Sequence, residues 1–283
     1  MPKAASSQLL PAQRSPLSGE VYARLEALLR QEKSPENLNT ILRLLSKWRA
    51  NIVTNTLVKK SGQTVLSGPF QGMTYLTAGS EGSTSARLLG AYEAALHPII
   101  EKIIKRGYQQ IIDVGCAEGY YAVGLAMRMP AARVIARDLN AVARAKCAQL
   151  AAANGVSAQI DIGGEIGHGD FDICTRAKTL VICDIEGAEA HLLDPARAQG
   201  LASADILVEV HDCFTAGLSA LIAQRFEPTH KVRKIERSLP DAPLPAWMDT
   251  LSDFDRLIAL WEWRMGPTPW LWMTRKGKSS DKE

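Results

Sequence analysis

The stretch that decides the fold is QIIDVGCAEGYYAVG, residues 110–124. Its first part, IIDV, is a short apolar run typical of a buried parallel strand. Small residues then follow at every second position, as Gly115, Ala117 and Gly119, before an apolar segment that predicts a helix ending at Pro130. A strand, a tight turn of small residues and a helix start together form a loop where the backbone can approach a ligand closely.

The acidic residue in front of this turn, Asp113, indicates the kind of ligand. A loop that binds the pyrophosphate of a dinucleotide follows the pattern Gly-x-Gly-x-x-Gly. Here the small residues fall at positions i, i+2 and i+4, which is a poor cradle for a diphosphate and suits a zwitterionic, positively charged ligand better. Taken alone, the stretch is also compatible with the strand-to-helix turn of another α/β protein.

Composition narrows the class of protein. The chain has 283 residues, 46% of them hydrophobic, which allows one large α/β domain plus an accessory segment. A net charge of +3 without a dense basic run does not favour nucleic acid as a partner. We expect no membrane span and no secretory signal, since no apolar run is long enough. Five cysteines without a C-x-x-C pair predict reduced thiols and a cytoplasmic protein.

Patterning divides the chain into five segments. Residues 1–17 are predicted to be disordered, and residues 18–60 to form a helical extension with helices over 19–31 and 36–59. Residues 61–97 are expected to hold a loop with a short hairpin (65–70 with 73–76) and a leading helix capped by Ser85, on which Glu93 is interpreted as a solvated surface residue. The core follows at 98–275, and 276–283 is a polar tail. The extension is interpreted as a cap over the site, an oligomer contact or plain surface packing.

Strands and helices alternate after the first turn. Further strands are predicted at 133–138, 156–162, 178–184 and 204–212, closing strands at 231–237 and 270–274, and a helix at 250–263 between the closing strands. Such alternation indicates a parallel sheet with right-handed crossovers. The Trp-rich stretch at 260–273 matches no motif.

Polar residues lie where these strands are predicted to end. Asp138, 23 residues after Gly115, can accept the hydroxyls of a ribose or cap the following helix. Asp161 is expected near the end of the third strand. Asp184 closes the fourth strand and His211 the fifth, so the carboxyl edge of the sheet is predicted to gather these groups around a ligand.

Several pieces in the correct order resemble FkbM-like class I S-adenosylmethionine (SAM) methyltransferases. They are DVGCAEGYY at 113–121, the acidic strand end at Asp138, CDIEGAE at 183–189 and VEVHD at 208–212. The Asp-x-Glu-Gly-x-Glu stretch after the fourth strand is typical of that family. The resemblance covers roughly residues 98–215 and leaves the first 60 residues unmatched.

The resemblance implies an α/β fold, a Rossmann-like, seven-stranded and mostly parallel sheet with helices on both faces, whose last strand runs antiparallel, preceded here by the N-terminal helical extension. It also implies SAM as the cofactor. The expected cofactor-binding residues are Asp113, Gly115, Cys116, Ala117, Gly119, Tyr120, Asp138, Leu139, Asp161, Ile162 and Asp184. A bulky side chain at the first glycine, as in Gly115→Val, is expected to abolish SAM binding while the fold survives.

His211 and Asp184 are the candidate catalytic residues. A hydroxyl acceptor needs a base or a metal, and an imidazole can act as a general base near neutral pH. The position of the two residues also resembles the metal site of catechol-type O-methyltransferases. Because hard cations prefer oxygen ligands, His211 weakens a Mg²⁺ assignment, and the metal-free version is favoured, with no metal ligands assigned. A histidine that is merely hydrogen-bonded at a strand end is the plain alternative.

The function predicted from these residues is O-methylation of a small-molecule hydroxyl, on a sugar or a secondary metabolite, with no nucleic acid or membrane partner. A homo-oligomer formed through the N-terminal helices is one of the open interpretations. Two other classes compete with this function. They are a catalytically silent methyltransferase-like scaffold, and an NAD-dependent oxidoreductase, which fits Asp138 but not the spacing of the small residues.

Overall fold

The computed structural model describes residues 16–76, 83–238, 242–264 and 266–276. Seven strands form one sheet in the order β3-β2-β1-β4-β5-β7-β6. The strands are β1 (Gln110–Val114), β2 (Arg133–Arg137), β3 (Ile160–Gly163), β4 (Thr179–Cys183), β5 (Ala204–Glu209), β6 (His230–Ile235) and β7 (Trp270–Arg275). The first five are parallel, and β7 runs antiparallel to both β5 and β6. This confirms the expected Rossmann-like fold, including the direction of its last strand.

Nine α-helices surround this sheet in the described part of the chain. They are α1 (Pro16–Leu29), α2 (Pro35–Ser61), α3 (Thr84–Leu89), α4 (His97–Arg106), α5 (Tyr120–Arg128), α6 (Ala141–Ala153), α7 (Glu189–Leu192), α8 (Leu218–Phe226) and α9 (Asp253–Ala259). Successive residues of a strand point to opposite faces. Accordingly, Ile111 packs in a core with α4 and α5, and Ile112 packs in a second core with α8. Helices therefore cover both faces of the sheet.

The second helix of the N-terminal extension is part of the core. Val53 and Leu57 are fully buried in it, and Arg49 forms a buried ion pair with Asp255 of α9, with nitrogen–oxygen distances of 2.6 and 2.7 Å. In contrast, no residue of α1 whose side chain is described is buried. None of the described helices is both long and apolar enough to cross a membrane.

Three local predictions were wrong. The hairpin predicted at 65–76 is a loop held by one isolated antiparallel bridge between Thr64 and Thr74. The third strand begins at Ile160, because a 3-10 turn occupies 157–159. The helix predicted at 250–263 is the shorter α9, preceded by a 3-10 turn at 246–250.

The leading helix is divided into α3 and α4. The helix predicted from Ser85 begins at Thr84 and stops at Gly90, whose left-handed backbone ends it. Helix α4 then starts with Pro98 in its first turn, where the missing N–H costs nothing.

The disorder predicted for 1–17 falls almost wholly outside the described residues, as do most of the 276–283 tail and residues 77–82.

Candidate active site

The turn between β1 and α5 has a left-handed backbone at each of its small residues. The φ angles are 78° at Gly115, 46° at Ala117 and 95° at Gly119. A Cβ atom on Gly115 would lie 1.7 Å from the main-chain oxygen of Asp184, because the ends of β1 and β4 meet there. The expectation that a Gly115→Val variant keeps its fold is therefore wrong. This glycine is required by the packing of two strand ends, whatever ligand the turn holds.

Asp113, at the carboxyl end of β1, is 3% exposed. Its Oδ2 atom is buried and has no hydrogen-bond partner among the described residues. Burial raises the pKa of this carboxyl group to about 7, against the opposing effect of a backbone hydrogen bond from Ala122, and the nearby Asp138 adds to the rise. A buried carboxylate without a partner is costly, so this oxygen is an acceptor that a ligand can satisfy.

Asp138 ties two neighbouring turns together. Its Oδ2 accepts the main-chain N–H of Ala117 at 2.9 Å, and its Oδ1 accepts that of Asn140 at 2.7 Å. Each carboxylate oxygen keeps a second lone pair, so both can still accept a ligand hydroxyl. Next to it, Leu139 leaves 79% of its surface exposed and offers an apolar face beside the turn.

Other predicted cofactor residues are placed less favourably for a ligand. Asp161 is the second residue of β3 instead of its end, and its carboxylate pairs with Arg133 at 3.5 Å and Arg137 at 3.1 Å. Ile162 is half-buried and packs against the core. The carboxyl end of this strand is formed by Gly163 and the residues after it.

The remaining members of the turn face the protein interior. Cys116 is 4% exposed, and a hydrogen bond with Cys147, together with burial, raises the pKa of its thiol. Tyr120 lies in an aromatic cluster, with ring centroids 5.2 Å from Phe70 and 5.4 Å from Tyr92. Because both side chains are buried, only the backbone of Cys116 and Tyr120 can contact a ligand.

The ends of β4 and β5 bring His211 together with several carboxylates. The Nε2 atom of His211 lies 3.3 Å from Glu186 and 3.7 Å from Asp184, and its Nδ1 atom is 2.7 Å from Glu189. One ligand atom from each of Asp184, Glu186 and His211 falls within 4.8 Å of the others. The two predicted catalytic residues are therefore neighbours, as the sequence predicted, and Glu186 joins them.

The electrostatics of this cluster follow from burial and from its excess of negative charge. Burial alone would lower the pKa of His211, but the hydrogen bond with Glu189 and the neighbouring carboxylates raise it above its ordinary value. Burial also raises the pKa of Asp184, and the nearby Glu209 and Glu93 raise it further. The site thus favours bound protons or another cation at Asp184.

An arginine within the Trp-rich stretch, Arg264, organises the carboxylates behind this cluster. Arg264 donates hydrogen bonds to Glu93 and Glu209, to Glu262 at 2.9 Å, and to Thr268 at 2.7 Å. Glu93 is only 6% exposed and also accepts the hydroxyl of Tyr121, so its interpretation as a solvated surface residue is wrong. Burial raises its pKa to about 7.

Backbone strain is concentrated around the same edge. In the described part of the chain, four non-glycine residues have positive φ: Glu93 (51°), Ala117 (46°), Glu186 (54°) and Trp263 (62°). Glu93 belongs to the Arg264 network and Trp263 directly precedes Arg264, while Ala117 lies in the turn after β1 and Glu186 in the His211 cluster. Such conformations cost about 1–3 kcal/mol each and cluster at functional sites. This edge is therefore the candidate active site.

Comparisons with known proteins give distant structural likenesses. No protein-family model matches the sequence, and no curated protein matches it. The structure is similar to the O-methyltransferase TomG from Streptomyces achromogenes, involved in tomaymycin synthesis and solved with SAM (12% identity, TM-score 0.44, 69% of this chain and 87% of that one). It is also similar to an O-methyltransferase from Bacillus cereus in complex with SAH (10% identity, TM-score 0.41, 96% of this chain and 94% of that one). A third similar structure is the tRNA methyltransferase TrmK of B. subtilis (11% identity, TM-score 0.41, 64% of this chain and 65% of that one).

Proposed function

We propose that this protein is a SAM-dependent methyltransferase that methylates a hydroxyl group of a small molecule. The observation that carries the proposal is the buried, unpartnered oxygen of Asp113 behind a left-handed turn of small residues. An ammonium group is the ligand that such a carboxylate binds best, and SAM carries one beside its sulfonium.

The residues present fit this cofactor. Asp113 would hold the ammonium group, Asp138 the ribose hydroxyls, and the exposed side chain of Leu139 would cover the adenine. When bound, SAM supplies an electrophilic methyl group. Asp184 follows β4, which pairs with β1, and His211 follows β5, which pairs with β4, so both are proposed to lie on the acceptor side of that methyl.

His211 is proposed to act as the general base. Its Nδ1 atom is held by Glu189, so Nε2, the nitrogen that faces Glu186 and Asp184, would take the proton that the hydroxyl loses as its oxygen bonds the methyl carbon and the methyl–sulfur bond breaks. Asp184 is proposed to orient the hydroxyl. Base assistance of this kind contributes roughly 10²–10⁴ in rate, and in-line placement of the two reactants contributes much of the rest.

The grouping of Asp184, Glu186 and His211 supports a second version of the acceptor chemistry. Two carboxylates and an imidazole whose other nitrogen bonds a carboxylate form a donor set that suits a transition metal better than Mg²⁺. A divalent ion there would lower the pKa of the acceptor hydroxyl and replace the base. Asp184, Glu186 and Nε2 of His211 would hold it.

Turnover measurements separate the two versions. If His211 is a base acting alone, His211→Ala lowers turnover by about 10²–10⁴ with SAM affinity unchanged, and EDTA has no effect. If the cluster holds a metal, EDTA and Asp184→Asn both abolish turnover, and added divalent ions restore the EDTA-treated enzyme. His230→Gln is the matched control, because His230 is equally buried but bonds the oxygen of Ala204 at the start of β5. Full activity in both His211→Ala and Asp184→Asn would contradict either version.

We further propose that the protein is FkbM-like. The support is the match of residues 184–189 to Asp-x-Glu-Gly-x-Glu, whose three carboxylates all lie in the His211 cluster. Sugar or secondary-metabolite hydroxyls are the acceptors to test first. Methylation of an amine or of RNA by the purified protein, with no transfer to such hydroxyls, would contradict this acceptor class.

A further inference from the structure

Glu189 is a buried carboxylate that the reaction proposed above uses only as the partner of Nδ1 of His211. It begins α7 and is 0% exposed. Its Oε1 atom lies 2.7 Å from Nδ1 of His211 and accepts the main-chain N–H of Gly187 at 3.0 Å. One oxygen therefore contacts both the histidine ring and the turn that follows β4.

The first contact fixes the ring of His211. With Nδ1 held by Glu189, the opposite nitrogen points at Glu186 and Asp184, 3.3 and 3.7 Å away. Phe214 stacks on the ring face, with centroids 5.5 Å apart and planes 4° from parallel. A ring held at one nitrogen and over one face has a single orientation. Since the carboxylate at Nδ1 lies at hydrogen-bond distance, 2.7 Å, and those at Nε2 lie farther away, at 3.3 and 3.7 Å, the proton of the neutral ring is favoured at Nδ1.

The second contact fixes the turn that carries Glu186. The backbone is left-handed at both Glu186 (φ 54°) and Gly187 (φ 107°), an arrangement that a non-glycine residue adopts only when its surroundings hold it. The bond from the Gly187 N–H to Glu189 closes this turn. Through this bond Glu189 contacts the turn whose residue Glu186 lies 3.3 Å from Nε2.

We propose that Glu189 is a positioning residue that assembles the acceptor side of the site. It holds His211 as the Nδ1–H tautomer, so that Nε2 presents its lone pair to the acceptor, and it keeps Glu186 beside that nitrogen. The inference rests on the proposed function for its catalytic meaning. The proposal also accounts for the spacing of the last carboxylate in Asp-x-Glu-Gly-x-Glu. Glu189 begins the helix after the turn, and its carboxylate reaches back to His211 at the end of β5.

A direct test is ¹⁵N NMR of the full chain, recorded at increasing pH until the imidazole signals of His211 stop shifting, which marks the neutral ring. Substitution of His211 by Gln assigns its signal. The wild type is expected to show the Nδ1–H tautomer, and Glu189→Gln to keep it, because the amide oxygen still accepts a hydrogen bond. Glu189→Leu removes the acceptor and is expected to shift the ring to Nε2–H. Asp255→Asn is the matched control, a buried carboxylate lost at a distant ion pair, and is expected to leave His211 unchanged.

Kinetics give the second readout. Glu189→Leu is expected to lower kcat by roughly 10² or more without changing KM for SAM, and Glu189→Gln by roughly tenfold, because hydrogen bonds to a charged group are stronger. An Nε2–H tautomer in the wild type, or in Glu189→Gln, would overturn the proposal even if the Leu variant fails to fold. If the tautomers follow the expectation but no hydroxyl is methylated, the placement of the ring by Glu189 stands and the proposed reaction is wrong.

Discussion

Above about pH 7, Asp113→Asn is expected to stabilise the free protein while it destroys the proposed cofactor site. Asp113 is 3% exposed, and burial raises its pKa to about 7 from 3.8. The unfolded chain loses this proton near pH 4, whereas the folded protein keeps it up to about pH 7. Ionisation therefore favours the unfolded state, and asparagine, which does not ionise, escapes that cost.

The size of the effect follows from the shift. A difference of about 3 pKa units at 1.36 kcal/mol each gives roughly 4 kcal/mol. The cost is nearly absent at pH 4, grows between pH 4 and 7, and is complete above pH 7. The buried amide brings its own constant penalty of about 1–3 kcal/mol, because the Oδ2 position has no described partner. The change of ΔΔG with pH is thus the quantity to measure, and we expect about 3–4 kcal/mol between about pH 4 and pH 9.

Urea denaturation of both proteins across this range is the assay. Asp205→Asn is the control, since Asp205 is also buried but bonds Tyr108 and Arg106, so its loss should destabilise the protein at neutral pH. A ΔΔG for Asp113→Asn that is constant with pH would refute the reasoning about burial. SAM binding by this variant at wild-type affinity would refute the role assigned to the carboxylate.

Three other changes have defined outcomes. Asp138→Ala should weaken SAM binding, measured by calorimetry, by about 1–3 kcal/mol, since ribose hydroxyls lose a charged acceptor and the Ala117 N–H loses its partner; unchanged affinity would make Asp138 only a helix cap. Arg49→Met should cost about 3–5 kcal/mol in denaturation, because it leaves Asp255 buried and unpaired, without altering SAM affinity in the folded protein. A chain starting at Ser34 should keep its fold and its SAM affinity, because none of the α1 side chains that the structure describes is buried; a change from dimer to monomer mass in light scattering would show that α1 is an oligomer contact.

Local patterns predicted the sheet well, and their failures have physical reasons. Strands β1, β4 and β5 are buried on both faces, so each has a mostly apolar sequence that can be recognised as a strand. The predictions of the third strand and of the hairpin at 65–76 fail because both segments are short and lie where turn formation competes with strand pairing. The N-terminal extension, interpreted as a cap, an oligomer contact or surface packing, also contributes Val53 and Leu57 of α2 to the core.

The sequence predicted only those parts of the candidate site whose positions are set by the ends of the strands. His211 and Asp184 meet because adjacent parallel strands end at one edge. The partners of Arg264 were missed, because Glu93 lies 171 positions away and nothing local indicates that the two meet. Glu189 was visible only as a member of a motif. Its bond to His211 depends on the turn geometry, which the spacing of the sequence does not specify.

The central claim, that the turn after β1 and Asp113 bind SAM, is tested most directly by a calorimetric titration of the full chain with SAM, with S-adenosylhomocysteine and with NAD. We predict one site per chain for SAM and S-adenosylhomocysteine, no heat for NAD, and proton release on binding near pH 6, because the ammonium group favours ionised Asp113. Binding of NAD with none of SAM or S-adenosylhomocysteine would contradict the account, as would a folded protein that binds none of the three.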